Sequence, residues 1–275
     1  MERMIAVLFD AVLMAAILTA VVYLIFFIRQ NSGLRHLARM LMMLSGVLQL
    51  FYIFARFSRL GAAPLTNLHE AVVFFACATT WAYLTLRWRY KVRNFGAFIS
   101  VLVALLLAVA WSFPASFAPA PAILQGLWLP VHAGLSLAAY SFFSLAFCGG
   151  LMYLLQEREL KGKRFGYFFS RLPSLDALDQ LNSHCLAIGF VLLTMGIVSG
   201  SLWLWQAYGL YWIWGRAEVC SVVIWLVYLA QLHQRFTVGW RGKRAAMMAV
   251  IGFAVIVLTL FIVVAPHGGM PVHGE

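Results

Sequence analysis

The chain has 275 residues, of which 64% are hydrophobic and only 11% are charged. Soluble globular domains carry about 25% charged residues, so this composition excludes an ordinary soluble protein and indicates an integral membrane protein. Because basic residues concentrate in cytoplasmic loops of membrane proteins, the net charge of +11 is interpreted as a marker of topology, and no nucleic-acid partner is expected. The four cysteines (Cys77, Cys148, Cys185 and Cys220) form no CxxC motif, which favours small core residues over a thiol redox or zinc site.

Eight apolar spans are long enough to cross a hydrocarbon core of about 30 Å. The first is longer than the apolar region of a signal peptide and lacks its small-residue cleavage site, so it is predicted to remain as a helix. No soluble domain interrupts the spans, and residues 1–275 are therefore predicted to form a single all-α membrane domain, a bundle of about eight transmembrane helices. The spans are predicted at about 4–28, 40–57, 69–87, 95–113, 130–156, 184–205, 218–236 and 245–265.

Basic residues alternate between the loops and predict the orientation of the bundle. Of the 20 Lys and Arg residues, all except Arg3, Arg56, Arg59 and Arg216 fall in the first, third, fifth and seventh loops. Since cytoplasmic loops retain basic residues, these odd loops are predicted to face the cytoplasm. Both termini, the uncharged loop 112–129 and the tryptophan-rich segment 207–228 are then predicted to lie on the outer side.

This topology brings two of the seven histidines to the outer face. His132 opens the fifth predicted helix and His267 follows the eighth, so both are expected beside the tryptophan-rich segment. Two neutral imidazoles on opposite sides of a macrocycle are a common way to hold haem iron, and flat aromatic rings can pack on a porphyrin. The same segment also fits an aromatic belt at the membrane interface, and the residues alone leave both interpretations open.

His233 is predicted at a different depth, about 22 Å along the seventh helix from Glu218 at ~1.5 Å per residue. An ionisable residue in the inner leaflet is by default a functional candidate, but His233 is also one turn from the cytoplasmic end, where it can reach water. His184, at the predicted inner start of the sixth helix, is the other histidine in position to partner it.

His69 lies in the segment PLTNLHEA at the outer start of the third predicted helix. Asn67 followed by Glu70 three residues later is typical of a capping box, which gives Glu70 a structural role. His69 is expected in the same outer layer as the tryptophan-rich segment, where it has a supporting role.

The stretch YGLYWIWGRAEVCSVVIWLVYLAQLH resembles the tryptophan-rich signature, or WWD domain, of the cytochrome c assembly family (CcsA, ResC and CcmC), whose pattern is close to WGxYWxWDPKExWSLxxWxxYxxxLH. The segments PLTNLHEAVVFF, LWLPVHAGLSLAAYSFFSLAF and GWRGKRAA are also similar to segments of this family. The resemblance spans about residues 40–265 and is closest to the CcsA/ResC branch. The matching signature positions are Gly209, Tyr211, Trp212, Trp214, Glu218, Ser221, Trp225, Tyr228 and His233.

The resemblance implies a multi-pass protein of the bacterial cytoplasmic (inner) membrane that moves haem across this membrane. It presents the haem on the outer face for attachment to the CxxCH motif of apocytochrome c. The expected cargo is haem b in transit, handled by a core at about 40–267. His132 and His267 carry over as outer axial ligands of the iron, and His233 as the entry ligand. The other expected haem-contacting residues are Tyr211, Trp212, Trp214, Trp225, Arg216, Glu218 and His69.

The expected partners are a ResB/CcsB-type membrane subunit, which supplies the histidine opposite His233, together with apocytochrome c and thiol-reducing assembly proteins. Cytochrome c synthase activity is expected only in combination with the ResB/CcsB-type subunit, and not from this chain by itself.

The signature departs from the family pattern at its centre. Gly215 stands where the family has Asp, Arg216 and Ala217 replace Pro-Lys, Cys220 replaces Trp, and Tyr208 replaces the first Trp. Arg216 is expected to engage a haem propionate instead. His267 is assigned by its distance from the eighth helix, since VVAPHGG does not match the family's NLLxxGLHSY.

Two alternative functions remain open. A HemX-like accessory or regulatory paralogue, linked to haem biosynthesis, is favoured by the altered signature and opposed by the intact set of three histidines. An eight-helix scaffold or transporter without haem corresponds to the interpretation of the tryptophan-rich segment as an interfacial belt.

Overall fold

A computed structural model of the chain describes residues 2–60, 65, 67–90, 92, 94–115, 126–163, 166 and 169–264. These residues form eight helices, one for each predicted span, which confirms the all-α membrane prediction. Seven are long and apolar enough to cross a membrane, and the remaining helix, α4, is an apolar helix of 17 residues, the lower limit of a crossing length. The helices are α1 (Glu2–Arg29), α2 (Ser32–Leu60), α3 (Leu68–Arg89), α4 (Phe95–Trp111), α5 (Trp128–Lys161), α6 (Leu175–Tyr208), α7 (Arg216–Phe236) and α8 (Lys243–Val264).

Two helices begin well before their predicted starts. Helix α2 begins at Ser32 rather than near residue 40, and α6 begins at Leu175 rather than near residue 184. Their first turns are polar, so a search for apolar residues misses them although the backbone is already helical. The prediction that His184 opens α6 is therefore wrong, because it lies about two and a half turns inside that helix.

Helix α5 is the centre of the bundle. Helices α1–α4 pack around one apolar cluster that also takes in residues of α5, α6 and α8, and α5–α8 pack around a second that also includes Phe75 of α3. Helix α5 contacts α3, α4, α6 and α8, and its interface with α6 is the most extensive in the bundle. The side chains of α5 are thus held by both halves of the protein.

Glycines on one face of α6 allow the close approach of α5. A Cβ atom added to Gly189 would lie 2.5 Å from the ring of Phe143, and one added to Gly196 would lie 2.6 Å from Ser136 Oγ. Helices within a lipid bilayer gain no hydrophobic free energy by associating. They associate through close van der Waals packing, which such small residues allow.

The odd-numbered connections gather at one end of the bundle, which we call the basic end. There the side chain of Arg171 donates to Phe27 O at 3.0 Å, and Asn94 Nδ2 donates to Arg171 O at 2.7 Å. Arg235 binds both carboxylate oxygens of Asp179, at 2.7 and 2.6 Å. The tryptophan-rich segment lies at the opposite end, which we call the aromatic end; that this end faces outward remains a prediction from the basic residues.

Candidate functional site

His132 lies in the second turn of α5 at the aromatic end and is half-buried against α6. Its Nδ1 is 2.7 Å from Gly196 O. A carbonyl oxygen only accepts hydrogen bonds, so Nδ1 carries the hydrogen and donates it. In the neutral imidazole, Nε2 then retains its lone pair, and no hydrogen bond to it occurs within the described residues. This is the arrangement by which a second group fixes the tautomer of a metal-ligating histidine.

Gly200 creates the space that the imidazole occupies. A Cβ atom at this position would lie 2.6 Å from His132 Nδ1 and 2.9 Å from its Cε1. Any larger residue would have to displace the ring from the surface of α6. The two glycines therefore position His132 together. The carbonyl oxygen of Gly196 accepts the hydrogen bond, and Gly200, which has no side chain, leaves room for the ring.

The tryptophan-rich segment turns the chain from α6 into α7. Helix α6 ends at Tyr208 and is capped by Gly209, whose φ of 71° lies in the left-handed region and whose N–H donates to Trp205 O. The stretch 210–215 is not helical, and α7 begins at Arg216. Gly200 precedes the end of α6 by eight residues, which places the His132 contact about 12 Å from this turn at ~1.5 Å per residue.

The segment presents an aromatic surface at this end of the bundle. Tyr211 and Trp214 are 59% and 78% exposed, values that leave ring surface accessible to a ligand. Tyr211 stacks on Trp205 with ring centroids 5.9 Å apart and an interplanar angle of 12°. Trp212 meets Trp214 edge-on at 5.7 Å. The predicted aromatic platform is therefore extended by Trp205, which was not among the predicted site residues although it lies only two residues before the segment.

Trp212 also carries an unused donor. Its indole Nε1 is buried and has no hydrogen-bond partner among the described residues. Buried indole N–H groups normally find an acceptor. The platform thus contains one unpaired donor, which a ligand acceptor would reach only if the surrounding side chains shifted.

The start of α7 explains how Gly215 replaces an aspartate. Gly215 is the N-cap residue, and a Cβ atom added to it would lie 2.5 Å from Oε2 of Glu218. A carboxylate is therefore present at this helix start, supplied from three residues further along the chain. It suits the positive end of the helix dipole. Arg216, the first residue of α7, is exposed beside it.

Trp225 lies apart from this platform, in the third turn of α7. Its Nε1 donates to Thr194 Oγ1 at 3.1 Å, and its ring lies 5.6 Å from that of Phe190. Both contacts are with α6. The structure therefore places Trp225 in the interface between α6 and α7 rather than with Trp212 and Trp214.

His69 is buried in the first turn of α3. Its Nδ1 donates to Ala110 O at 2.9 Å, which leaves Nε2 to accept from the Tyr52 hydroxyl at 2.8 Å. Its ring also packs against Phe9 at 4.7 Å. Both ring nitrogens are thus engaged within the protein, so His69 connects α1, α2, α3 and α4 and has no nitrogen available for a ligand in this arrangement.

Glu70 beside it forms a buried ion pair with Arg56 of α2, and both side chains are at most 1% exposed. Asn67 Oδ1 accepts from Glu70 N at 2.9 Å, which confirms the predicted helix cap. Glu70 therefore has a structural role, as predicted. The ion pair between α2 and α3 is an additional contact that the capping motif did not indicate.

His233 lies in the last turn of α7 at the basic end and is exposed on the surface of the bundle. His184 is also exposed, but its Nδ1 donates to Gln180 O at 2.8 Å and its ring lies 5.2 Å from Tyr90. Within the described residues no contact joins the two histidines, so the structure does not bring His184 to His233 as a partner.

The predicted site residues therefore fall into three groups. The aromatic end gathers His132, Tyr211, Trp212 and Trp214 with the helix start at Arg216. Trp225 and His69 contact neighbouring helices, and His233 lies at the other end. His267 lies outside the described residues. Gly196 and Gly200 were not among the predicted site residues, although small residues at 189, 196 and 200 recur along one helix face.

Comparison with protein families identifies relatives of this chain. Residues 65–268 match the family described as "Cytochrome C assembly protein". The cytochrome c biogenesis protein CcsA of Porphyra purpurea is 29% identical over 267 residues, covering 82% of this chain and 83% of that protein. CcsA of Chlamydomonas reinhardtii is 30% identical over 227 residues, covering 79% and 63%. CcsA of Synechococcus sp. (strain CC9605) is 29% identical over 245 residues, covering 80% and 81%.

Among solved structures, the cytochrome c haem lyase CcmF has a similar fold. The two superpose with a TM-score of 0.65 at 16% sequence identity. The match covers 94% of this chain and 46% of CcmF, so the chain spans about half the length of that lyase. At this identity the likeness concerns the arrangement of the helices.

Proposed function

Since the chain belongs to the cytochrome c assembly protein family and so has a role in cytochrome c maturation, we propose that it carries haem across its membrane and holds it at the aromatic end. In this proposal His132 and His267 bind the iron from opposite sides, and the tryptophan-rich segment packs on the porphyrin. The membrane is the bacterial cytoplasmic membrane, and the aromatic end faces outward.

The observation that carries the proposal is the hydrogen bond from His132 Nδ1 to Gly196 O. It fixes the imidazole so that the lone pair of Nε2 is available to iron. A buried histidine with a structural role can engage both nitrogens within the protein, as His69 does. The exposed His184 also has its Nδ1 bonded to a carbonyl, but its ring lies at the basic end, away from the aromatic platform. His132 has instead one nitrogen held and one without a partner among the described residues.

The aromatic platform supports the same proposal through its polar atoms. Haem is a flat macrocycle with two carboxylate-bearing propionates. Tyr211 and Trp214 offer exposed ring faces to the porphyrin, while the unpaired Nε1 of Trp212 and the guanidinium of Arg216 are donors that suit a propionate. The carboxylate of Glu218 lies at the start of α7. We propose that it stabilises this helix start and does not contact the propionates.

His233 is proposed as the ligand that receives haem nearer the basic end. Its imidazole is exposed on the surface of α7, so the second axial ligand would come from another subunit. We assign that role to a ResB/CcsB-type membrane protein. We propose that Trp225 holds α7 against α6 and that His69 holds α3 against α2 and α4. Neither residue is then expected to contact the haem directly.

Attachment itself joins the cysteine thiols of the CxxCH motif to the vinyl groups of haem, chemistry that belongs to the haem and the thiols. The residues of this chain supply ligation, orientation and shelter. Haem lyase activity is proposed only for the assembly with the ResB/CcsB-type subunit and apocytochrome c.

Purified protein is expected to show a Soret band, and replacement of His132 and His267 together by alanine is expected to remove most of it. The reason is that both axial ligands at the aromatic end would be lost. The measurement is the absorbance spectrum per mole of protein, supported by a pyridine haemochrome assay. The matched control is the double replacement of His36 and His184, exposed histidines at the basic end, which should leave the band within about 20% of wild type. A colourless wild-type protein would exclude the proposal.

Replacement of Gly200 by alanine is expected to lower haem affinity about 10- to 100-fold, the usual cost of losing an outer-shell partner of a ligand. The added Cβ atom would displace the His132 imidazole and break its bond to Gly196. Haem titration of the apoprotein measures this change. Gly149→Ala is the control, because its Cβ atom would meet only Leu181 Cδ2 at 3.7 Å. Equal affinities in the two variants would show that His132 does not depend on this fit.

A further inference from the structure

A cavity of about 620 Å³ lies at the basic end among α1, α2, α3 and α4. The proposed haem path does not include it, since the cavity is lined by none of the histidines. Three of its lining side chains are arginines (Arg35, Arg39 and Arg87), and no lining residue is acidic. The cavity is therefore strongly cationic.

Among the described residues the arginines have no anion of their own. Arg35 and Arg39 are one helical turn apart on α2, where like charges repel each other, and Arg87 faces the same cavity from the last turn of α3. None of the three forms an ion pair within the described residues. A bound anion would relieve this repulsion.

A buried pair of tyrosines adds a second donor group to the cavity. Tyr23 and Tyr83 are 3% and 5% exposed, and their hydroxyl oxygens are 3.3 Å apart. The pair has two hydroxyl hydrogens and needs only one for its mutual hydrogen bond, so the other has no acceptor within the described part of the chain. Gly96 makes room for the pair, because a Cβ atom there would lie 2.4 Å from Tyr23 Cε1 and from Tyr83 Oη.

We propose that this cavity binds the phosphate group of an anionic phospholipid, for which phosphatidylglycerol serves as the probe. The guanidinium groups and the spare hydroxyl are all donors, so the ligand must be an acceptor with negative charge. The cavity lies where membrane helices end, the level of lipid headgroups, and basic pockets between such helices bind anionic headgroups. Trp88, another lining residue, is 84% exposed, as expected of a tryptophan at the membrane interface.

The test is native mass spectrometry of the full chain in neutral detergent, titrated with dioctanoyl phosphatidylglycerol. The double variant Arg39→Gln/Arg87→Gln is expected to bind this lipid about 25-fold more weakly, about fivefold for each arginine removed. Dioctanoyl phosphatidylcholine, which is zwitterionic, should bind at least 10-fold more weakly than phosphatidylglycerol to wild type, since its quaternary ammonium would face the arginines.

The matched control is Arg29→Gln/Arg89→Gln, which removes the same charge from exposed positions at the same end without altering the cavity lining. This variant should retain the affinity within about twofold, because surface charges are screened by salt. Equal losses in both doubles would mean diffuse surface attraction and would overturn the proposal. Inorganic phosphate that displaces the lipid at an equal concentration would identify a free-anion site and would also overturn it.

A second measurement on the wild-type chain keeps the proposal testable if the double variant does not fold. Phosphatidylglycerol with a diazirine near its headgroup is expected to crosslink to residues around the cavity, including Phe26 and Trp88. Adducts confined to α6–α8 would contradict the assignment.

Discussion

Replacement of His132 by glycine is expected to lower the yield of holocytochrome c at least 100-fold. Loss of a group that only supports a metal ligand costs about 10–100-fold, and this replacement removes the ligand itself. The measurement is covalent haem on a reporter cytochrome c, produced in cells that also express the ResB/CcsB-type subunit. Protein level must be compared in parallel, since His132 packs against α6.

Added imidazole is expected to restore much of this activity. Glycine at position 132 would leave a space bounded by Gly200, and Gly196 O would remain to accept the N–H of free imidazole. A histidine that served only to pack α5 against α6 would not be rescued in this way. His184→Gly is the control, because its exposed ring lies at the basic end. Wild-type cytochrome yield in His132→Gly would remove His132 from the site.

Replacement of Glu70 by alanine is expected to lower the free energy of unfolding by about 3–5 kcal/mol, the usual effect of removing one partner of a buried ion pair. The change would leave the Arg56 guanidinium without its carboxylate in a region where both side chains are at most 1% exposed. The resulting loss should loosen the contact of α2 with α3. The midpoint of unfolding in mixed detergent micelles measures it.

Two further variants test whether the loss of stability comes from an unpaired buried charge rather than from the loss of any ion pair. Arg56→Leu combined with Glu70→Leu should recover much of the loss, since neither charge then needs solvation. Glu2→Ala breaks the pair with Arg59 at 3.3 Å, whose side chains are 55% and 44% exposed, and should change stability by less than about 1 kcal/mol. If Glu70→Ala is no more harmful than Glu2→Ala, the buried pair does not stabilise the contact of α2 with α3.

Both predictions concern residues at the aromatic end of the bundle. His69 lies next to Glu70 in the chain and joins Tyr52 of α2 to Ala110 at the end of α4. A histidine in this position, near a predicted haem site, is easily assigned to the iron. Its two hydrogen bonds instead give it a structural role, so His69→Ala should behave as a stability variant rather than as a ligand variant.

Several features could be predicted from neighbouring residues alone. The eight helices follow from the length of the apolar spans, and the clustering of Tyr211, Trp212 and Trp214 is visible directly in the chain. The starts of α2 and α6 were misplaced, because their first turns are polar and leave no hydropathy signal. For the same reason Arg35 and Arg39, predicted in a loop, are helical residues that line a cavity.

The roles of individual polar atoms depended on contacts between helices. The partner of His132 is 64 residues away on α6, Arg56 meets Glu70 across two helices, and Trp225 reaches Thr194 rather than the aromatic platform. Hydropathy is a sum over contiguous residues, so it predicts which segments enter the membrane. A hydrogen bond requires two groups within about 3 Å, and here only the packing of one helix against another brings those groups together.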